Sequence, residues 1–491
     1  MNVERRPLSA DTGTPLRLLF FALDSASGDA GKRLAAGLSA RGHHCFASVY
    51  NRDEALEARL KAGFSQAGAS VVETRAMRGV PLRQFLADPR LRREVRWYHL
   101  PIALVAAAAF WCARVAQIDR APVFWRIFGR GPQTVLRTWA SLASDKAEAR
   151  RLLEETRPDV VVLHHDYAGH FSTTLAIVAR REGVRVAVIP ALYPEPELLV
   201  RALARRPQNL ILNARARAVA RRRPDWRAQA DGVTILRYEW WRVELLVSLG
   251  LAPKQPFVHQ SCLADAVLLP DAAMAARYSE LGFDPAHLKV TGSVVQDELT
   301  MEYSPASGAR VVVAVPPDQS AAKEKIDGGY QGLISRLIEI CAGLPGCTQL
   351  VASVHPKQDE AALAPLIAAG FDISRQPLPA LLPGAAAMLG YVGSSTLRWG
   401  TWAATPVIAW DAYGYEPGQE EHSLDEISPI RPWVQATATH QVRSALAQAL
   451  TADGAAAWRS AYARLGLTPP DGRALDNIET ALRELAGSRI R

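Results

Sequence analysis

The stretch AAAMLGYVGSSTLRWGTWAATPVIAW, Ala385 to Trp410, reads as strand, loop, helix, strand. Its first apolar run ends in the small-residue cluster Gly393, Ser394, Ser395 and Thr396. A helix is expected from about Leu397, and Pro406 opens a second short apolar run. Neither run alternates with polar residues, the pattern of strands buried on both faces of a parallel sheet. Parallel neighbours need a crossover, and the intervening segment supplies a helix for it. The hydroxyl cluster has two uses at that place. It can cap the helix, or its free N–H groups and hydroxyls can seat phosphate oxygens.

The same plan extends outward in both directions. RVVVAVPP (Arg310–Pro317) and TQLVASVHP (Thr348–Pro356) read as strands, with a helix at about 332–342 between them. Near the N-terminus, LRLLFFALD (Leu16–Asp24), a small-residue loop with a helix, and HHCFASVY (His43–Tyr50) form another βαβ unit. That loop lacks GxGxxG spacing, so it is no dinucleotide fingerprint. Residues 80–155 read as a largely helical insertion. The alternation resumes with Val160–Leu163, the loop His164, His165, Asp166, and the strand VRVAVIPA. A less regular basic segment runs from about 200 to 255. After Leu263–Leu299 comes the linker YSPASGA (Tyr303–Ala309). The expected organisation is an N-terminal domain 1–302, a linker 303–309, a C-terminal domain 310–470 and a terminal helix 471–491. The expected fold class is α/β, with two Rossmann-like domains facing a cleft and a helical insertion in the first.

With 491 residues, the chain exceeds one core of ordinary size, which agrees with two domains. Its composition, 49% hydrophobic and 22% charged, is that of a globular protein. The five cysteines form no CxxC pair, which speaks against zinc sites and disulfide frameworks and for a reducing cytoplasm. The net charge is +8, with arginines concentrated between Arg201 and Arg227. Such a run serves as a solvated helical face, or as an attraction to an anionic inner membrane or glycan. Interleaved aromatics and reader motifs are missing, so nucleic acid is not an expected partner. The N-terminus is polar and does not read as a signal peptide. Trp97–Ala113 carries no charge; it reads as a buried helix, with a monotopic membrane helix as the alternative.

Ligands of paired α/β domains bind at the carboxyl ends of the strands. His355 and Lys357 follow one such strand, and Ser394, Ser395 and Thr396 follow another about one βαβ unit later. Imidazole, ammonium, hydroxyl and free N–H groups together suit a phosphate. Each motif alone also has an ordinary structural role, a strand-end turn or a cap. Pro317 ends the first strand of this half, where a nucleotide base would approach.

The His355-Pro356 pair followed by Ser394-Ser395-Thr396 and the PVI strand resembles the nucleotide-binding half of GT-B fold proteins. ADAVLLPDAAMAARYSELGFDPAHLKVTGSVVQDEL is similar to the segment closing their first domain. Within GT-B, the residues resemble those of bacterial CMP-sugar sialyl- and Kdo-transferases, CDP-glycerol glycerophosphotransferases and UDP-GlcNAc 2-epimerases. The resemblance implies an inverting, metal-independent sugar transfer from a CMP- or UDP-linked donor to an envelope glycan or glycolipid. The nucleotide sugar is then substrate, and no cofactor is required. It also implies a donor-sugar contact at Glu416. An inverting transfer needs a base from the first domain: Asp166 first, then Asp29, then Glu195. Asp166 has helix capping as its ordinary alternative. The epimerase pattern is departed from at PALYPEPE and at GSST. Epimerisation, polyol-phosphate transfer and non-catalytic glycan binding remain the alternatives.

Overall fold

The computed structural model describes residues 14–23, 25–51, 53–74, 132–166, 168–190, 196–204, 206–230, 232–258, 264–297, 309–317, 328–354, 358, 360–391, 394, 396–403, 405–410, 412, 439–464 and 471–488. The chain divides into two compact units. The first comprises Met1–Leu268, Gly282–Lys289 and Ile478–Arg491; the second, Leu269–Leu281 and Val290–Asn477.

The first unit is built on a seven-stranded sheet. Its strands are β1 (Arg17–Ala22), β2 (His44–Val49), β3 (Ser70–Val71), β4 (Val160–Leu163), β5 (Arg185–Val188), β8 (Ala266–Leu269) and β9 (Leu288–Val290), in the order β3-β2-β1-β4-β5-β8-β9. The pairings β1–β2, β1–β4, β2–β3, β4–β5 and β5–β8 are parallel. Every residue of β4 and β8 is buried, as unbroken apolar runs require. Strand order runs one way from β1 to β3 and the other way from β4 onward. The reversal falls between β1 and β4.

Between β5 and β8 lie the helices Pro196–Ala204, Ala214–Arg222 and Trp240–Ser248 and the antiparallel hairpin β6 (Arg227–Ala230) with β7 (Val233–Leu236). The sequence alone suggested less regularity here. The helix Ala214–Arg222 buries only Ala216, Val219 and Ala220, a stripe too narrow to register among arginines. Its start is nonetheless capped, since the Asn213 side chain accepts from Ala216 N–H at 2.8 Å. Of the expected insertion 80–155, the helix Pro132–Thr156 is described. Its remainder, with Trp97–Ala113, lies outside the described residues.

The second unit carries a five-stranded, fully parallel sheet: β10 (Ala309–Ala314), β11 (Cys347–Ser353), β12 (Asp372–Ser374), β13 (Ala387–Tyr391) and β14 (Val407–Trp410), in the order β12-β11-β10-β13-β14. Successive residues feed two separate cores. Val311, Val313, Leu389, Ile408 and Trp410 pack on one face; Val312, Ala314, Met388, Val407 and Ala409 pack on the other. Both faces are therefore covered, as the unalternating runs implied. Here the reversal of strand order falls between β10 and β13.

Candidate functional site

In open α/β sheets the ligand crevice lies outside the carboxyl ends of the strands where strand order reverses. In the second unit, the loops at that point follow β10 and β13. The first contains Pro317, which is half-buried, and the second contains Ser394 and Thr396. The next strand over, β11, leads to His355.

The loops after β10 and β11 are tied together by a residue the sequence did not single out. Tyr330, on the helix Gly329–Cys341, donates its buried hydroxyl to Pro316 O at 3.1 Å. The same oxygen accepts from Gln358 Nε2, and Arg375 Nη2 donates to Gln358 O at 3.2 Å. Val354 N–H reaches Ser374 O at 3.0 Å on the other side. Backbone on both flanks of His355 is thus fixed, while His355 and Lys357 themselves lie outside the described residues, as do Ser395 and Glu416. No local sequence pattern could have flagged Tyr330, because its role arises from contacts between three separate loops.

After β13 the chain turns into the helix Leu397–Trp402. Ser394 Oγ accepts from Thr396 N–H at 3.3 Å and lies 2.7 Å from Thr396 Oγ1. Ser394 O accepts from Leu397 N–H at 3.2 Å. This is a serine turn that opens the helix, so the capping use of the cluster is realised. Burial pushes the Tyr391 phenol up, against a hydrogen bond from Ser394 that favours its ionised form. The helix can sit directly on the sheet because Gly400 has no side chain. A Cβ there would lie 2.4 Å from Val407 Cγ2 and 2.8 Å from Met388 Sδ.

In the first unit the reversal brings together the loops after β1 and β4. His164, His165 and Asp166 follow β4 and are all buried, Asp166 completely. His164 Nδ1 lies 2.9 Å from Ile189 O; a carbonyl only accepts, so Nδ1 carries the proton. The next helix, Phe171–Arg181, has His170 at its N-cap. Asp166 stands four residues before that position. The helix Ser25–Ala40 comes close from the β1 side, since a Cβ on Gly31 would lie 3.1 Å from His164 Nε2. Asp29 is on the same helix, exposed and paired with Lys32 at 2.6 Å. Glu195 lies outside the described residues. Among the described residues, no group of three or more His, Cys, Asp or Glu is arranged to hold a metal ion.

A cavity of about 200 Å³ lies at the other end of the second sheet, lined by Cys341, Cys347, Gln349 and Asp372 among others. Cys347 and Asp372 begin their strands, so this cavity is apart from the loops described above. Burial, with the neighbouring Cys347, pushes the Cys341 thiol up to about 12, which leaves it unreactive.

No protein-family model matches the chain, and no curated protein matches it. Solved structures do. The glycotransferase of kitacinnamycin is 15% identical, with a TM-score of 0.53 over 95% of this chain and 99% of that one. The calicheamicin glycosyltransferase CalG4 is 15% identical, with a TM-score of 0.51 over 96% of this chain and 99% of that one. A protein assigned as a UDP-N-acetylglucosamine 2-epimerase from Listeria monocytogenes is 10% identical, with a TM-score of 0.50 over 97% and 99%. At such identities the likeness is one of fold. The chain has two Rossmann-like α/β units matching GT-B proteins over nearly its whole length.

Proposed function

We propose that this protein is a glycosyltransferase that moves a sugar from a CMP- or UDP-linked donor to a cell-envelope glycan or glycolipid. The reading rests on one observation above all. Pro317 and the Ser394–Thr396 hydroxyl pair occupy the two loops that flank the strand-order reversal of the second unit, and His355 follows the neighbouring strand β11 by two residues. That is where a parallel sheet binds a nucleotide. GT-B transferases among the similar structures support the class of reaction.

In the proposed reaction an acceptor hydroxyl attacks the anomeric carbon as the bond from that carbon to the phosphate oxygen breaks. The nucleotide departs with the electron pair, and its charge grows in the transition state. His355, Lys357, Ser395 and the hydroxyl pair supply donors for that charge, and Glu416 holds the sugar. One proton of the Ser394–Thr396 pair is spent between the two oxygens and the other is given to Tyr391, from which an incoming phosphate would draw it. The hydroxyl proton of the acceptor passes to a carboxylate of the first unit. Asp166 is our assignment, since it lies on the loop at that unit's own reversal. Asp29 and Glu195 rank behind it. The scheme requires neither metal nor cofactor. Cys45, Cys341 and Cys347 are free thiols, in keeping with a cytoplasmic setting; no helix among the described residues is long and apolar enough to cross a membrane.

Calorimetric titration with CMP, CDP and UDP tests the reading. One of them is expected to bind, with His355→Ala weakening it at least tenfold. Asp166→Asn should keep nucleotide binding and lose transfer. Failure of all three nucleotides to bind overturns the proposal. Conversion of UDP-GlcNAc without any acceptor would replace it with epimerisation.

A further inference from the structure

The arginine-rich stretch takes no part in the scheme above, and its surroundings give it a use. Between Arg201 and Tyr238 the acidic residues are Asp225 and Asp231. Arg217 and Arg221, one turn apart, lie on the exposed side of the helix Ala214–Arg222, away from its buried alanines and Val219, and Arg215 is exposed at the edge of that buried stripe. Arg222 is paired with Glu244 at 2.9 Å. Among the described residues, Arg215, Arg217 and Arg221 have no ion-pair partner. Arg215 lies over the Trp240 ring, 5.4 Å from its centroid.

The chain entering this helix joins the β6–β7 hairpin. Leu210 bridges Ile235 in antiparallel fashion, and Ile211 N–H reaches Thr234 O at 3.3 Å. The chain turns back at Leu212, whose N–H reaches Leu210 O at 3.0 Å, and Val233 opens β7 next to Thr234. The exposures of Leu212 and Val233 are 70% and 38%, and they belong to a small set of large apolar side chains exposed among the described residues. Two exposed aliphatic side chains, one just before the helix and one in the hairpin that its entry segment joins, therefore neighbour an unneutralised cationic helix face.

We propose that this face docks the protein on an anionic lipid bilayer. Leu212 and Val233 would enter the interface while Arg215, Arg217 and Arg221 meet lipid phosphates. Charge complementarity alone would also suit an anionic glycan. The two aliphatic side chains favour the bilayer, because a hydrated glycan gives Leu212 and Val233 nothing to gain, whereas an interface removes them from water. Stacking of nucleic-acid bases is disfavoured too, since Trp226 is buried beneath the helix. The proposal does not depend on sugar transfer.

Vesicle co-sedimentation of the full chain tests it, using phosphatidylcholine with and without 30% (about one third) phosphatidylglycerol at low salt. Binding is expected only with the anionic lipid. Arg217→Ala and Arg221→Ala should each weaken it roughly fivefold, the factor that corresponds to about 1 kcal/mol per cation at the surface. The pair Leu212→Ser and Val233→Ser should weaken it as well, with unchanged circular dichroism because both sites are exposed. Equal binding to both vesicle types, or no binding, overturns the proposal. So does binding that ignores all four substitutions, which would point to another segment. Loss with the arginines but not with Leu212 and Val233, together with tight heparin binding, also overturns it in favour of a polyanionic glycan.

Discussion

Ser394 is at once the start of a helix and a candidate phosphate donor, and these two roles respond differently to substitution. Ser394→Ala removes the oxygen that accepts from Thr396 N–H. It should cost about 1 kcal/mol of stability and weaken nucleotide binding as well. Ser394→Asp restores a capping acceptor but brings a negative charge to a phosphate seat. It should recover the stability in denaturant titration while abolishing nucleotide binding in calorimetry. If Ser394→Asp binds nucleotide as well as the unaltered protein, the residue is a cap and nothing more. Tyr330 gives a second test at this scale. Tyr330→Phe keeps the buried ring but loses the hydroxyl that joins Pro316 to Gln358. About 1–3 kcal/mol of stability should go with it, because Pro316 O and Gln358 Nε2 are left without that partner. Nucleotide affinity should fall several-fold, because the loops flanking the site lose their tie. The serine was legible from sequence, since hydroxyls before an apolar-periodic segment announce a cap. The tyrosine was not, because sequence spacing carries no record of which loops meet.

At the scale of elements, legibility followed burial. β4, β13 and β14 are unbroken apolar runs, β10 is one after Arg310, and all four could be read directly. β3 and β12 have two and three residues, too short to show a period, and are held by their neighbours in the sheet. Between β5 and β8, the helix Ala214–Arg222 was hidden by its arginines. Helix Pro132–Thr156 contains another feature that a sequence pattern cannot expose. Burial pushes the Asp145 carboxyl up to about 7, and the nearby Glu148 adds to the shift. A carboxyl raised in the folded state holds its proton longer there than in the unfolded chain. Stability therefore falls as pH rises from the ordinary value of 3.8 through about 7. Asp145→Asn should remove this dependence. Its gain in unfolding midpoint should grow between about pH 4 and 7 and level off above; a gain independent of pH would refute the assignment. Gly400→Val acts on a different element in the opposite sense. Its side chain would press on Val407 and Met388, and should cost about 1–3 kcal/mol while displacing the helix that Ser394 opens.

For the whole molecule, the chain's return to its first unit has a measurable consequence. The last helix, Ala474–Gly487, belongs to the first unit from Ile478 onward. Ile478, Ala481, Leu482 and Leu485 are buried. Its polar anchor is Glu479. Arg41 Nη1 donates to it at 2.7 Å, His43 Nε2 lies at 3.0 Å and Arg483 Nη2 at 2.9 Å. Leu16 N–H donates to His43 Nδ1 at 2.9 Å, so that nitrogen is unprotonated and the proton sits on Nε2, facing the carboxylate. Burial alone would raise the Glu479 carboxyl, but the hydrogen bonds from Arg41, His43 and Arg483 outweigh it and hold the group at about 2. A carboxyl depressed in the folded state contributes stability above its ordinary value of 4.5, and loses it as pH falls toward about 2. Glu479→Gln should therefore lower the first unit's unfolding midpoint at pH 7, by about 2–4 °C for each kcal/mol lost. The difference from the unaltered protein should shrink below about pH 4. The second unit holds Leu269–Leu281 and Val290–Asn477 by its own contacts, and its transition should stay in place. Calorimetric scans from pH 3 to pH 7 read both. A matching drop in both transitions would mean that the two units unfold as one, and that the final helix fastens the entire chain rather than the unit to which it returns.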